Sequence, residues 1–371
     1  MKKLLYITDQ DEYMDHSFIA PLFEIYLKKY LEIDIVYFTE FKSDFERKDA
    51  HRFTMPSRYK NVLIQSLLRN NIAIDSYDFI MVRNDIEVMK NVLKYRKTYG
   101  YKALYRFSYP KSSRKLLCDQ AKNKNTFFAP LQHYFKMKGA TSIINLCDAF
   151  LPTSLSMQKA FRPEVTIGTI VCPPAINPQV LYPNKQHEGE EKCFFYAGTV
   201  DKTRAFETVL DAFVAVNSQQ WSLAISTPDT HYVHRMLEDY PQIKPQIKVY
   251  NAKTKEALLL GIALADIGVA LLPDISIYNS STPVKIFDYY ASAVPCLMTH
   301  SGDTTTLFKD ADTAWFSPFE SEEIAKKIQS LLSLSKAEVI EVGSKGQAHL
   351  LTVQNYETIA KNIASKLQGL L

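Results

Sequence analysis

The 371-residue sequence has no uninterrupted apolar run near the ~18 residues that a membrane-spanning helix needs. Its short apolar start, Leu4-Leu5-Tyr6-Ile7, runs straight into Asp9, Asp11 and Glu12 with no small-residue cleavage site. It therefore reads as a buried first strand rather than a signal peptide. Cysteine is scarce: Cys118, Cys147, Cys172, Cys193 and Cys296 are scattered, with no C-x-x-C pair and no histidines at zinc spacing. That argues against a zinc module or a disulfide framework and for inert thiols in a reducing compartment. No basic recognition helix, zinc finger or RNA-binding signature is present, so nucleic acid is not an expected partner. No tandem repeat appears.

What is present is an ordinary globular composition, 46% hydrophobic and 23% charged, in a chain long enough for two cores. The net charge of +4 hides an asymmetry. Residues 1–180 carry 27 Lys+Arg against 18 Asp+Glu, and the remainder 17 against 22. A basic first half points to an anionic partner, either anionic lipid or a phosphate-bearing acceptor, with solvated lysines as the plainer alternative.

Short apolar runs alternate with helix-period stretches throughout. The pattern predicts strands over Leu4–Thr8, Ile33–Phe38, Phe79–Arg83, Ala103–Phe107 and Phe150–Thr153, then Cys193–Ala197, Ser222–Ser226, Ile247–Tyr250, Ile267–Leu272, Val294–Met298 and Ala314–Phe316. Helical spacing is expected from Phe18 to Tyr30, near Val62–Leu68, and over Phe206–Val216, Lys255–Ala263, Val284–Ser292 and Glu322–Leu332. Strand–helix alternation means parallel sheets with right-handed crossovers. Four prolines from Pro173 to Pro183 and the polar run Asn184–Lys192 break both periods. The expected organisation is α/β: two Rossmann-like, doubly wound domains facing across a cleft. They span 1–170 and 193–350, joined by a linker at 171–192, with a final helix in 351–371 that closes the second domain or packs back on the first.

In doubly wound domains ligands meet the loops after the strands. Gly198 ends one strand, where a missing side chain lets backbone approach a ligand, and Thr199, Lys202 and Arg204 follow it into a helix. Ser280-Ser281-Thr282-Pro283 opens a helix whose N–H groups, hydroxyls and Lys285 suit phosphates. Asp288, farther along, is spaced to accept hydrogen bonds from a ribose. Asn251 follows a third strand and offers polar groups to a nucleobase edge. The plainer reading of each is a capped helix or a turn with solvated charges.

Together these segments resemble the GT-B glycosyltransferases, and in particular the retaining group 1 family. The resemblance is carried by Asp148-Ala149-Phe150-Leu151-Pro152-Thr153-Ser154, by Pro173-Pro174-Ala175-Ile176-Asn177 with Tyr182-Pro183, by Phe194 to Arg204, and by Leu264-Ala265-Asp266-Ile267-Gly268-Val269. The most specific match is Val284-Lys285-Ile286-Phe287-Asp288-Tyr289-Tyr290-Ala291 with Val294-Pro295. The chain departs from the family's pattern at four places: Ser280 stands for its first acid, Ala293 for a glycine, Thr199 for an arginine and Arg204 for its usual lysine. The Gly-rich turn after the first strand is also missing, with Asp9 to Ser17 in its place.

The resemblance implies transfer of a sugar from a UDP- or GDP-type donor to a glycan, lipid-linked or protein acceptor, with retention. Gly198, Thr199, Asn251, Ser280, Ser281, Thr282, Lys285 and Asp288 would bind the donor, and Arg204 and Lys202 would stabilise the departing diphosphate. No metal or other cofactor is expected, since no Asp-x-Asp falls in a suitable donor loop. The first half would supply an acceptor site, with His16, Arg106, Ser108, His133 and Arg83-Asn84-Asp85 as candidates. In Lys111–Lys138 lysines interleave with Phe127, Phe128, Leu131, Tyr134 and Phe135, the pattern of a surface that meets an anionic membrane. A cytoplasmic protein, peripheral on the inner face of the plasma membrane, is the matching location. The competing readings are a nucleotide-sugar epimerase or hydrolase of the same fold, and a non-catalytic glycan- or partner-binding homologue.

Overall fold

The computed structural model describes residues 1–10, 20–121, 128–185, 189 and 191–371. The chain forms two compact units: Met1–Pro173 together with Glu357–Leu371, and Pro174–Tyr356. The first unit carries β1 (Lys2–Thr8), β2 (Leu31–Thr39), β3 (Glu46–Arg47), β4 (Arg52–Pro56), β5 (Phe79–Arg83), β6 (Lys102–Phe107) and β7 (Ala149–Pro152). They lie in the order β3-β4-β2-β1-β5-β6-β7, parallel except for β3 against β4. The second unit carries β8 (Lys192–Ala197), β9 (Trp221–Ser226), β10 (Ile247–Tyr250), β11 (Ile267–Ala270), β12 (Cys296–Thr299) and β13 (Trp315–Ser317). Their order is β10-β9-β8-β11-β12-β13, all parallel. Strand order reverses beside β1 in one sheet and beside β8 in the other, and these switch points are where a doubly wound sheet opens a crevice.

Side chains alternate across the second sheet. Phe194, Tyr196, Leu223, Ile225 and Val269 pack into one core, with Phe206, Val209, Leu210 and Phe213 from the helix Phe206–Val216. Phe195, Ala197, Ala270, Cys296 and Met298 face the opposite core, against the helices Lys255–Ala263 and Val284–Ala291. Two helical layers over one parallel sheet explain why these strands read as near-continuous apolar runs. Each large apolar side chain so buried stabilises the unit by about 1.5–3 kcal/mol.

Some expectations change. The segment predicted as an α-helix up to Tyr30 is a π-helix over Ala20–Tyr26 followed by a 3₁₀ turn over Leu27–Lys29, and Phe18 and Ile19 lie outside the described residues. Its wide turn brings Leu22, Phe23 and Tyr26 into the core, with Phe23 stacked on Tyr6 at 4.0 Å between ring centres. β3 and β4 escaped the sequence pattern because one is only two residues long and the other is flanked by charges. The helix Ile86–Tyr99 also went unread, although Asp85 caps its start by accepting from Val88 N and Gly100 ends it at φ +78°. Lys192, read as linker, is a buried member of β8.

The chain leaves the first unit between Pro173 and Pro174 and returns after Tyr356. Ile176 pairs with the returning segment, its N–H donating to Gln354 O at 3.1 Å and its carbonyl accepting from Tyr356 N at 3.1 Å. The last helix, Tyr356–Gln368, has Ala360, Ile363, Ala364 and Leu367 buried, and Glu357 pairs with Lys29 at 2.7 Å. All five cysteines are free, and burial pushes the Cys193 thiol up to about 11. Among the described residues no helix is long and apolar enough to cross a membrane.

Candidate functional site

The switch point of the second sheet is built around the helix Val284–Ala291. Gly268 on β11 has no side chain because the ring of Tyr289 occupies the space: a Cβ there would stand 2.4 Å from Tyr289 Cδ2. Seated so closely, the Tyr289 hydroxyl accepts from Ala197 N at 3.0 Å and donates to Val269 O at 3.0 Å. One side chain thus ties the helix to the carboxyl ends of β8 and β11. Its amino end follows Pro283, which takes the N-cap position with φ −59°, and no side-chain hydrogen bond caps it. The helix begins at Val284, as expected, but Pro283 rather than a Ser or Thr takes the N-cap position, with Thr282 buried beside it. An amino end with no acid in its first turn keeps its partial positive charge available to an anion.

Lys285 sits in this first turn. Its Nζ is withdrawn from solvent, has no hydrogen-bond partner and lies 3.6 Å from the centre of the Tyr196 ring. Burial holds the ammonium well below its ordinary value, and the nearby Arg204 guanidinium adds repulsion. The cation faces Gly198: a Cβ built there would meet Lys285 Cε at 3.7 Å and Nζ at 3.8 Å. Gly198 itself adopts φ +121°, a conformation other residues rarely take. A buried lysine amine, a bare strand end and an uncapped helix start thus converge at one place.

The loop after Gly198 is ordered by Asp201, which accepts from Thr203 N and Arg204 N and pairs with Arg204 at 2.6 Å. Arg204 lies over the Tyr278 ring at 5.6 Å, and Thr203 Oγ1 is 2.7 Å from the Tyr278 hydroxyl. Arg204 is thus held near the site by Asp201, while Lys202 is exposed. Thr199 receives a hydrogen bond from the Tyr196 hydroxyl on its carbonyl, at 2.8 Å. Ser280 and Thr282 are buried and Ser281 is half-buried. Asp288 is paired with Lys255, so the expected ribose acceptor already has a cation on one oxygen. Lys255 was missed because nothing local marks it; it opens the helix that follows Asn251, which is exposed.

At the switch point of the first sheet, Asp9 pairs with Arg83 at 3.0 Å and with Lys111, and accepts from Asn84 Nδ2 at 3.3 Å. Burial opposes its charge, but Arg83 and Lys111 keep the carboxyl below its ordinary range. Ser108 accepts from Arg83 Nε at 2.7 Å and Asn84 Nδ2 at 2.9 Å, so these residues form one polar network. Arg106, expected to face an acceptor, points elsewhere: it is fully buried and donates to Cys172 O at 3.2 Å. Arg106 lies inside β6, whereas Ser108 follows the strand's last residue, Phe107, where the chain leaves the sheet. His133 lies on the helix Ala129–Ile144 with Nε2 3.4 Å from Ser113 Oγ, and burial lowers its pKa, with Arg162 and Lys136 repelling its charge. His16, Lys122, Lys124 and Phe127 lie outside the described residues. Glu32, Asp34 and His51 are close enough for a metal ion, but Lys3 already pairs with both acids at 3.1 and 3.2 Å. That cluster sits at the starts of β1 and β2, the end of the sheet away from the switch point.

No family model matches the sequence, and no curated protein matches it. Solved structures do. Sucrose-phosphate synthase (tll1590) from Thermosynechococcus elongatus is similar with a TM-score of 0.76 at 15% identity, over 100% of this chain and 99% of that one. Anabaena Alr3699/HepE in complex with UDP and glucose gives 0.70 at 12% identity, with both chains covered completely. An alpha,alpha-trehalose-phosphate synthase (UDP-forming) from Burkholderia xenovorans in complex with glucose-6-phosphate gives 0.68 at 12%, over 99% and 100%. At such identities the likeness is one of fold, and the fold is that of the two-domain GT-B glycosyltransferases.

Proposed function

We propose that the protein is a glycosyltransferase that binds a nucleoside diphosphate sugar at the carboxyl ends of β8 and β11 and passes the sugar to an acceptor hydroxyl. The observation that carries this reading is Lys285, whose buried amine has no hydrogen-bond partner, beside Gly198 at an uncapped helix start. A diphosphate would supply the missing charge and accept the free N–H groups. Lys285 and Arg204 would matter more as the glycosidic bond breaks, because negative charge accumulates on the departing diphosphate. In this reading the exposed Lys202 would meet the diphosphate from solvent, and Asp288 with Lys255 would meet the ribose and the base-side phosphate. Retention at the anomeric carbon is part of the proposal, as is chemistry without a metal.

UDP is the first nucleotide to test, since the HepE complexes hold UDP or UDP-glucose and the trehalose-phosphate synthase is UDP-forming. The first unit would hold a sugar or glycan acceptor. Phe128, Leu131, Tyr134 and Phe135 are exposed beside Lys136 and Lys138, which supports contact with an anionic membrane surface on the cytoplasmic side. Titration calorimetry with UDP, GDP and UDP-glucose tests the donor site. Saturable binding that Lys285→Ala weakens by about 1.5–3 kcal/mol is expected, and a protein that binds none of the three sinks the reading.

A further inference from the structure

The first unit contains a cavity of about 550 Å³ that the donor site does not use. It opens between the carboxyl end of β6, the start of the helix Ile86–Tyr99 and the helices Lys111–Ala121 and Ala129–Ile144. Its size falls within the range of small-molecule sites. Phe107, Tyr105, Met137 and Ile143 give it an apolar wall.

Its charged residues are unequal in their partners. Asp85 pairs with Lys60 at 3.3 Å, Glu87 with Lys90 at 2.9 Å, and Lys111 with Asp9. Arg162 and Lys136 also line the cavity, and neither has a carboxylate partner among the described residues. Arg162 is only 5% exposed. Its Nε has no hydrogen-bond partner, and Nη1 reaches only Met137 Sδ and the Phe161 carbonyl, each at 3.2 Å. The guanidinium lies 5.0 Å from the centre of the Phe107 ring, which fixes its plane against the apolar wall. A guanidinium stays charged in a protein, so burying one without an acid is costly unless an anion arrives to meet it. Ser112 and Ser113 add hydroxyls at the rim.

We infer that this cavity binds a phosphate-bearing sugar or headgroup, with the phosphate on Arg162 and Lys136 and the apolar face of the ligand against Phe107. Arg162 supplies a planar fork that grips two phosphate oxygens, and Lys136 supplies a point charge from the exposed helix. The cavity would thus select an anionic acceptor for the transferase reaction proposed above, on which the acceptor role rests. Binding itself does not depend on that reading.

The test uses the full chain without nucleotide, titrated with hexose 6-phosphate, the parent hexose and inorganic phosphate, and floated with vesicles containing anionic phospholipid. UDP binding is measured in parallel on every variant. Hexose 6-phosphate should bind more tightly than either fragment. Lys136→Gln should weaken it about threefold, and Arg162→Gln at least tenfold. Arg162→Lys, which keeps the charge and loses the fork, should fall between. UDP affinity should stay unchanged, so failure here and failure of the donor site are separable. Vesicle binding that Arg162→Gln abolishes, with no binding of free hexose phosphate, would support the site and identify the phosphate as a headgroup. The inference is overturned if none of the probes binds, or if binding survives both Lys136→Gln and Arg162→Lys unchanged; the first of these variants is exposed and does not endanger folding.

Discussion

Lys285 sets stability and binding against each other. With its pKa depressed by burial, the folded protein leaves the amine neutral over a pH range in which the unfolded chain, near the ordinary 10.5, still protonates it. The unfolded state therefore binds more protons, so this residue's contribution to stability increases as pH rises through that range. An incoming diphosphate favours the ammonium, so binding in that range should draw in up to one proton. Calorimetry in two buffers of different ionisation enthalpy reads this directly, and an enthalpy independent of buffer would contradict it. Lys285→Met, which leaves an apolar chain of similar length, should stabilise the free protein by about 1–3 kcal/mol while weakening UDP. A mutant both less stable and equally tight would reverse the assignment. A second residue is out of keeping with its backbone. Ala293 stands where the resembling family has glycine, and it adopts φ +52°. Left-handed alanine costs about 1–2 kcal/mol, part of which glycine returns as entropy in the unfolded chain. Ala293→Gly should therefore raise the urea midpoint modestly, by about 1 kcal/mol or less, and a lower midpoint would mean the alanine methyl packs well enough to outweigh its strain.

At the scale of elements, the helix Val284–Ala291 is positioned by a glycine and a tyrosine rather than by its own capping. Gly268→Ala would drive a methyl into the Tyr289 ring, and the overpacking should cost about 1–3 kcal/mol in chemical denaturation. Tyr289→Phe should cost about 1–3 kcal/mol by leaving Ala197 N unpaired at a buried strand end. If Gly268→Ala matched the parent protein in stability, the helix would have room to shift and its start would not be fixed over Gly198. The strands that carry this arrangement were legible because burial on both faces writes them as apolar runs, from Phe194 to Ala197 and from Ile267 to Ala270. The cations were legible as types and loop positions, but not as partners. Nothing near Asp288 in the chain signals Lys255, 33 residues away, and nothing marks Asp201 as the acid that would hold Arg204. Arg106 misled because charge alone does not say that a strand residue is enclosed: it sits within β6 and is fully buried, whereas Ser108, just past the strand end, joins the polar network with Arg83 and Asn84. Arg162 was silent because its cavity is assembled from segments far apart in sequence.

For the whole molecule, the charge asymmetry of the sequence resolves into named surfaces. Phe128 and Phe135 are 61% and 62% exposed on the segment that also bears Lys136 and Lys138. Flotation with vesicles containing anionic lipid should recover the protein at low salt and lose most of it at high salt. Each basic residue near such a surface contributes about 1 kcal/mol, screened over ~8 Å at physiological ionic strength. Replacing Lys136 and Lys138 by glutamine should reduce recovery with little change in melting temperature, and equal recovery on neutral vesicles would remove the electrostatic part. The proline run falls at the outward crossing, Pro173-Pro174, whereas the return after Tyr356 lies in the first turn of the last helix with no compositional break.

That return crossing gives the two units different histories on the ribosome. Every residue of Pro174–Tyr356 leaves the exit tunnel before Ala360, Ile363, Ala364 and Leu367 do, so the second unit can close while the first still waits for its last apolar stripe. The unit made first is then the one finished last, and during that interval its unfilled seam is a natural place for a chaperone to hold the nascent chain.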